Sequence, residues 1–166
     1  MKKLIFALSA ALLLLSACGE KTATYTFHGA QITYPANWEL NNKDDVFLYI
    51  QDPKVLSNSV DVEVYEMDEQ SLAATSSEDL ADFLKSMVYS CYEDTVTDDY
   101  EITFETDIQG TDSQAMMSLS GTAYGDPFVA TISAWIDESI AFCTFVSAKD
   151  DKERAKIMSI FKYEVL

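Results

Sequence analysis

Phe128-Val129-Ala130-Thr131-Ile132-Ser133-Ala134-Trp135-Ile136, followed by Asp137-Glu138-Ser139 and then Ile140-Ala141-Phe142-Cys143-Thr144-Phe145-Val146, decides how this chain folds. Both runs are apolar or small on alternate and on intervening positions. A strand with one wet face alternates apolar and polar residues, so these two read as central strands covered on both sides. Asp137-Glu138-Ser139 between them supplies a hairpin turn.

Working outward, Val60, Val62 and Val64 alternate with Asp61, Glu63 and Tyr65, the pattern of a strand with one solvated face. Tyr100, Ile102, Phe104, Thr106 and Ile108 alternate with Glu101, Thr103, Glu105 and Asp107 in the same way. Short strands are expected over 25–27 and 31–34 around His28-Gly29, with a break at Pro35, and another over 46–50. Two segments change period. Leu80, Phe83, Leu84, Met87 and Cys91 recur at helical spacing behind Thr75-Ser76-Ser77-Glu78, which offers a capping box between Thr75 and Glu78. Asp150 stands three residues before Glu153 in the same arrangement, ahead of Ala155, Ile157, Met158, Ile160 and Phe161. Strands, a helix, further strands and a helix favour an α+β domain. A mostly antiparallel sheet of about 6–8 strands with helices packed on it is expected.

Phe27-His28-Gly29-Ala30-Gln31-Ile32-Thr33-Tyr34-Pro35-Ala36-Asn37-Trp38 places Tyr-Pro at the end of an apolar strand and a tryptophan three residues on. This run resembles the opening of the PsbP-like and Mog-like α/β/α sandwich domains, and the closing helix with Ile157, Ile160, Phe161 and Lys162 resembles their C-terminal end. Small bacterial lipoproteins of the DcrB type are similar. The resemblance spans nearly the whole chain after residue 24 and implies the sandwich fold. Known members act as binding partners of other proteins, but fold does not fix function, and no interaction residue carries over. Pro35 and Trp38 have a sufficient physical reading without a ligand: proline removes an amide donor at the strand end, and the indole covers the end of the core. Trp38 is also the aromatic side chain available for a ligand or partner contact.

The N-terminus carries a separate message. Lys2 and Lys3 precede twelve uncharged, mostly apolar residues, Leu4 to Leu15. That is shorter than the roughly 20 residues a bilayer-spanning helix requires. Leu15-Ser16-Ala17-Cys18 closes the run and resembles the lipobox of bacterial lipoproteins. The resemblance implies cleavage before Cys18 and a diacylglyceryl thioether on its sulfur, often with a third acyl chain on the new amine. Two or more chains anchor durably where one does not. The expected organisation is a signal peptide over 1–17, a lipidated N-terminus and short tether over 18–24, and one domain over 25–166. The expected location is extracytoplasmic, on a bacterial membrane.

Charge narrows the partners. The 166 residues carry a formal charge of −17. Removing residues 1–17 takes away two lysines and no acid, leaving 9 basic against 28 acidic side chains, or −19. Such a surface excludes nucleic acid, whose phosphates need a basic face, and anionic headgroups repel it. With Cys18 lipidated, two cysteines remain, Cys91 and Cys143. In an oxidising compartment they are either a disulfide or two buried thiols, and spacing does not decide between them.

Catalytic signatures are missing. His28 is the only histidine, no Gly-x-Ser-x-Gly elbow is present, and no Walker or dinucleotide-binding glycine pattern occurs. Cys91 and Cys143 lack the spacing of a structural zinc site. Asn41-Asn42-Lys43-Asp44-Asp45 and Glu93-Asp94-Thr95-Val96-Thr97-Asp98-Asp99 are rich in oxygen ligands of the kind calcium takes, yet neither has EF-hand order, and solvated loop charge accounts for both. The expectation is a non-enzymatic, membrane-anchored binding module for a protein or cell-envelope component, without cofactor or resident metal. The alternative is a lipoprotein that binds a small molecule or calcium.

Overall fold

The computed structural model describes residues 21–42, 45–95, 100–104, 107–123 and 125–165. The signal segment and Cys18 therefore lie outside the described residues, as do positions 43–44 and 96–99 of the two acidic runs. Strands β1 (Thr22–Phe27), β2 (Ala30–Pro35), β3 (Glu39–Asn42), β4 (Phe47–Gln51) and β5 (Ser59–Glu66) lead into helices α1 (Glu69–Ala74) and α2 (Ser77–Thr95). Strands β6 (Tyr100–Phe104), β7 (Gln109–Gly110), β8 (Gln114–Ala123), β9 (Asp126–Asp137) and β10 (Ile140–Ala148) follow, then helix α3 (Asp151–Ile160) and strand β11 (Lys162–Val165). An eight-stranded sheet runs β3-β4-β5-β10-β9-β8-β6, with β7 paired to β8, and a three-stranded sheet runs β1-β2-β11. All pairings are antiparallel.

The two apolar runs are the inner strands β9 and β10, as their two-sided pattern requires. Asp137 pairs with Ile140, leaving Glu138-Ser139 as the turn, with Glu138 at φ 52. On β10, Ala141, Cys143 and Phe145 enter a core beneath α2 with Leu84, Met87, Val88 and Cys91. Phe142, Val146 and Ala148 enter a second core on the other face with Ile157 of α3 and Phe27 and Ile32 of the small sheet. Because successive strand residues point to opposite faces, α2 and α3 lie on opposite sides of the sheet. The first face is covered by a helix alone, while the second is shared by α3 and the three-stranded sheet. Trp135, Phe142 and Tyr163 close that second side, with the Phe142 and Tyr163 ring centroids 4.3 Å apart.

Local signals explain the element ends, with some shifts from expectation. His28 (φ 48) and Gly29 (φ 76) both take left-handed backbone, the geometry of a two-residue type I′ hairpin between Phe27 and Ala30. The cap of α2 stands one residue later than the sequence pattern suggests. Ser76 Oγ accepts the Asp79 N–H at 3.2 Å and donates to Asp79 Oδ2 at 2.6 Å, so Ser76 rather than Thr75 caps the helix, with Asp79 rather than Glu78 as its partner through the hydroxyl. Asp150 caps α3 as expected, accepting from Glu153 N at 2.8 Å. Phe161 ends that helix in extended conformation, and Lys162 belongs to β11, paired with Thr33. Strand β1 begins at Thr22, so Thr22–Thr24, expected in the tether, pair with Thr33–Pro35.

Candidate functional site

The face of the large sheet beneath α2 is only partly covered. Helix α2 packs over β8, β9 and β10, and leaves the same face open above β4 and β5. The register places Tyr49, Asp61 and Phe145 in one row across that open part, and Gln51, Ser59 and Ser147 in the next. Asp61 is one of the solvated positions that the alternation in β5 predicts, while Ser59, Phe145 and Ser147 are buried at the bottom. Both rows form the floor of a half-open cleft of about 840 Å³, walled by the loop Lys54–Ser57 on one side and by Ala123, Asp126, Pro127 and Phe128 on the other. Sites of roughly 300–1,000 Å³ are the usual size for small-molecule ligands.

The first wall is tightly built. Asp52 N donates to Asn58 O at 2.9 Å and Asn58 N to Val55 O at 2.8 Å. Gln51 Nε2 donates to Leu56 O at 2.9 Å, and Ser147 Oγ donates to Ser57 O at 2.8 Å. Asn58 is 1% exposed, and its Oδ1 accepts the backbone N–H of Lys149 at 3.1 Å. Ser59 and Ser147 hydroxyls lie 3.0 Å apart beneath. A loop held by this many hydrogen bonds is set in place before anything binds. Its tip presents Leu56, which is 69% exposed.

The cleft combines aromatic surface from Tyr49, Phe128 and Phe145 with the hydroxyls of Ser57, Ser59 and Ser147. Lys54 and Lys149 line it together with Asp61 and Asp126, so its formal charges balance within a chain of −17. Neither lysine forms an ion pair among the described residues, whereas Lys85, Arg154 and Lys156 each do. Tyr65 lies farther along the open face. Burial and a hydrogen bond to Glu63 Oε2 at 2.7 Å both raise its phenol above the ordinary tyrosine range.

The residues singled out in the sequence fall elsewhere. Trp38 is 8% exposed, packed with Phe27 and Ile157 in the second core, where it borders a pocket of about 40 Å³ apart from the cleft. Cys91 and Cys143 are brought together in the core under α2, both buried. Hydrogen bonding to Cys143 and burial both push the Cys91 thiol far up. His28 donates from Nε2 to the Asp45 carbonyl, with Nδ1 3.9 Å from Glu66. Among the described residues, no three His, Cys, Asp or Glu side chains gather as a metal site would need, and no helix is long and apolar enough to cross a membrane. The sequence reading missed the cleft. Its wall comes from the loop between β4 and β5 and its floor joins those two strands to β10, distant in sequence, and only the polar face of β5 hints at it.

The chain has a PsbP-like α+β fold. It is similar to the solution structure of cyanobacterial PsbP (CyanoP) from Synechocystis sp. PCC 6803, with a TM-score of 0.51 and 14% identity over 88% of this chain and 95% of that one. A crystal structure from Bacteroides thetaiotaomicron VPI-5482 aligns with a TM-score of 0.48 and 10% identity, over 86% of this chain and 47% of that one. No protein-family profile and no curated relative matches the sequence.

Proposed function

We propose that this protein is a non-enzymatic binding module, lipid-anchored through Cys18 on the extracytoplasmic side of a bacterial membrane, and that the cleft between the Lys54–Ser57 loop and the start of β9 is its binding site. The preformed, hydrogen-bonded wall of that cleft is the observation that carries the reading. Its contents suit recognition: aromatic surface for contact area, hydroxyls for orientation, and two lysines without ion pairs among the described residues. The anchor reading rests on Leu15-Ser16-Ala17-Cys18 and on the short chain between Cys18 and β1. Four or so extended residues reach only about 14 Å, which holds the domain against the bilayer.

The partner is a protein segment or a cell-envelope component that fits an open cleft. A second reading, capture of a small solute, is favoured by the cleft volume of about 840 Å³. A photo-crosslinking amino acid at Leu56, on the cleft rim, tests the first, with the same residue at exposed Met158 on α3 as the control for the opposite side. A reproducible adduct from position 56, absent from 158 and lost in a Lys54→Glu, Lys149→Glu variant, is expected. Adducts only from 158 would reject the cleft as the site. Native mass spectrometry of the isolated lipoprotein separates the readings, since a solute appears as a retained small mass and a protein partner does not.

A further inference from the structure

We propose that Cys91 and Cys143 are the two halves of a disulfide that staples α2 to the centre of the eight-stranded sheet. Both lie in one core cluster, Cys91 on the buried face of α2 and Cys143 on the face of β10 beneath it. The Sγ of Cys143 lies 3.9 Å from the carbonyl oxygen of Met87. In an α-helix that carbonyl accepts the N–H four residues on, which is that of Cys91. Helical side chains lean toward the N-terminus, so the Cys91 sulfur covers this same turn. Ala134 is the residue paired with Cys143 across the ladder.

The bond forms by two exchanges with an external disulfide, RSSR. One cysteine thiolate attacks RSSR, breaks its S–S bond and forms a mixed disulfide while RS⁻ departs. The second cysteine thiolate then attacks the protein sulfur of that mixed disulfide and expels the second RS⁻. The two protons of the cysteines end on the two departing thiols; the cysteines are oxidised and the donor is reduced. Burial makes the thiolate scarce in the folded chain, so exchange belongs to the stage before α2 docks, or to its transient opening. The supply of RSSR rests on the extracytoplasmic location proposed above, because cytosolic thiols are kept reduced.

The full-length protein, isolated from membranes in detergent with iodoacetamide present and then unfolded, tests this. Alkylation of neither Cys91 nor Cys143 without reductant, and of both after reduction, is expected, with the two peptides linked before reduction. Reduced full-length protein refolded with oxidised glutathione should regain the link, melt about 10 °C higher than the reduced form, and lose that difference in both Cys91→Ser and Cys143→Ser. Failure to form the link on refolding overturns the proposed geometry. A link on refolding, combined with two free thiols in membrane-isolated protein, overturns the bond as a feature of the mature protein. Surface proteolysis of intact cells then shows whether the export reading failed with it. Alkylation of Cys18 would reject the anchor and leave the disulfide result standing.

Discussion

Asn58 Oδ1 accepts the backbone N–H of Lys149 at 3.1 Å, joining the loop before β5 to the end of β10 across 91 residues of sequence. Asn58 is almost fully buried, and water cannot replace the contact. Asn58→Ala is expected to destabilise the fold by about 1–3 kcal/mol, the cost of stranding a buried amide. A shifted urea midpoint with an unchanged m-value checks this, and Leu56 crosslinking should fall in the same variant under conditions where it remains folded.

Gly121 on β8 sits against the β6 backbone: a Cβ there would lie 2.1 Å from the Glu101 carbonyl oxygen and 3.1 Å from Ile102 Cα. The β6 backbone cannot give way cheaply. Gly121→Ala should detach β6 and destabilise by about 2–4 kcal/mol. Hydrogen exchange should show β6 amides losing protection while β9 and β10 keep theirs.

Tyr163 contributes its ring to the Trp135–Phe142 cluster, while its hydroxyl is buried without a hydrogen-bond partner among the described residues. Tyr163→Phe keeps the ring and removes the desolvated hydroxyl. The expected outcome is neutral to about 1 kcal/mol more stable. A loss beyond 1 kcal/mol in thermal or urea melts would count against the assignment.

Alkaline titration separates the tyrosines. Burial raises the phenols of Tyr65 and Tyr163, aided by Glu63 and Asp137 respectively, and the Glu93 charge raises Tyr89. In the unfolded chain these phenols titrate near 10. Above that pH the unfolded state releases protons that the folded state still holds, so stability is intact below about 10 and falls as pH rises toward the folded values. Absorbance near 295 nm should show phenols that ionise late in the native protein and normally in denaturant.

The strand order and faces were legible where pattern is local. Val60, Val62 and Val64 point inward as their alternation requires, and the Phe128–Ile136 and Ile140–Val146 runs are the doubly covered centre of the sheet. Strand β8 was legible and missed: Ala115, Met117 and Leu119 are buried while Gln114 and Met116 are exposed, a period of two obscured by the two adjacent methionines. The family resemblance puts Lys162 at the end of the closing helix, but pairing with Thr33 draws it into β11.

By itself, the sequence determined the antiparallel α+β character, the two-sided burial of β9 and β10, the cap at Asp150, the acidic surface, and the Cys18 motif on which the proposed anchor rests. These depend on residue type and spacing within one element, where hydrophobic period and backbone hydrogen-bonding needs act alone. Tertiary structure decided which part of the sheet face stays open, that Lys54 and Lys149 line one cleft, and that Cys143 of β10 meets the turn of α2 that carries Cys91. Each joins positions dozens of residues apart, and their meeting is fixed by the order of strands in the sheet and the placement of α2 upon it.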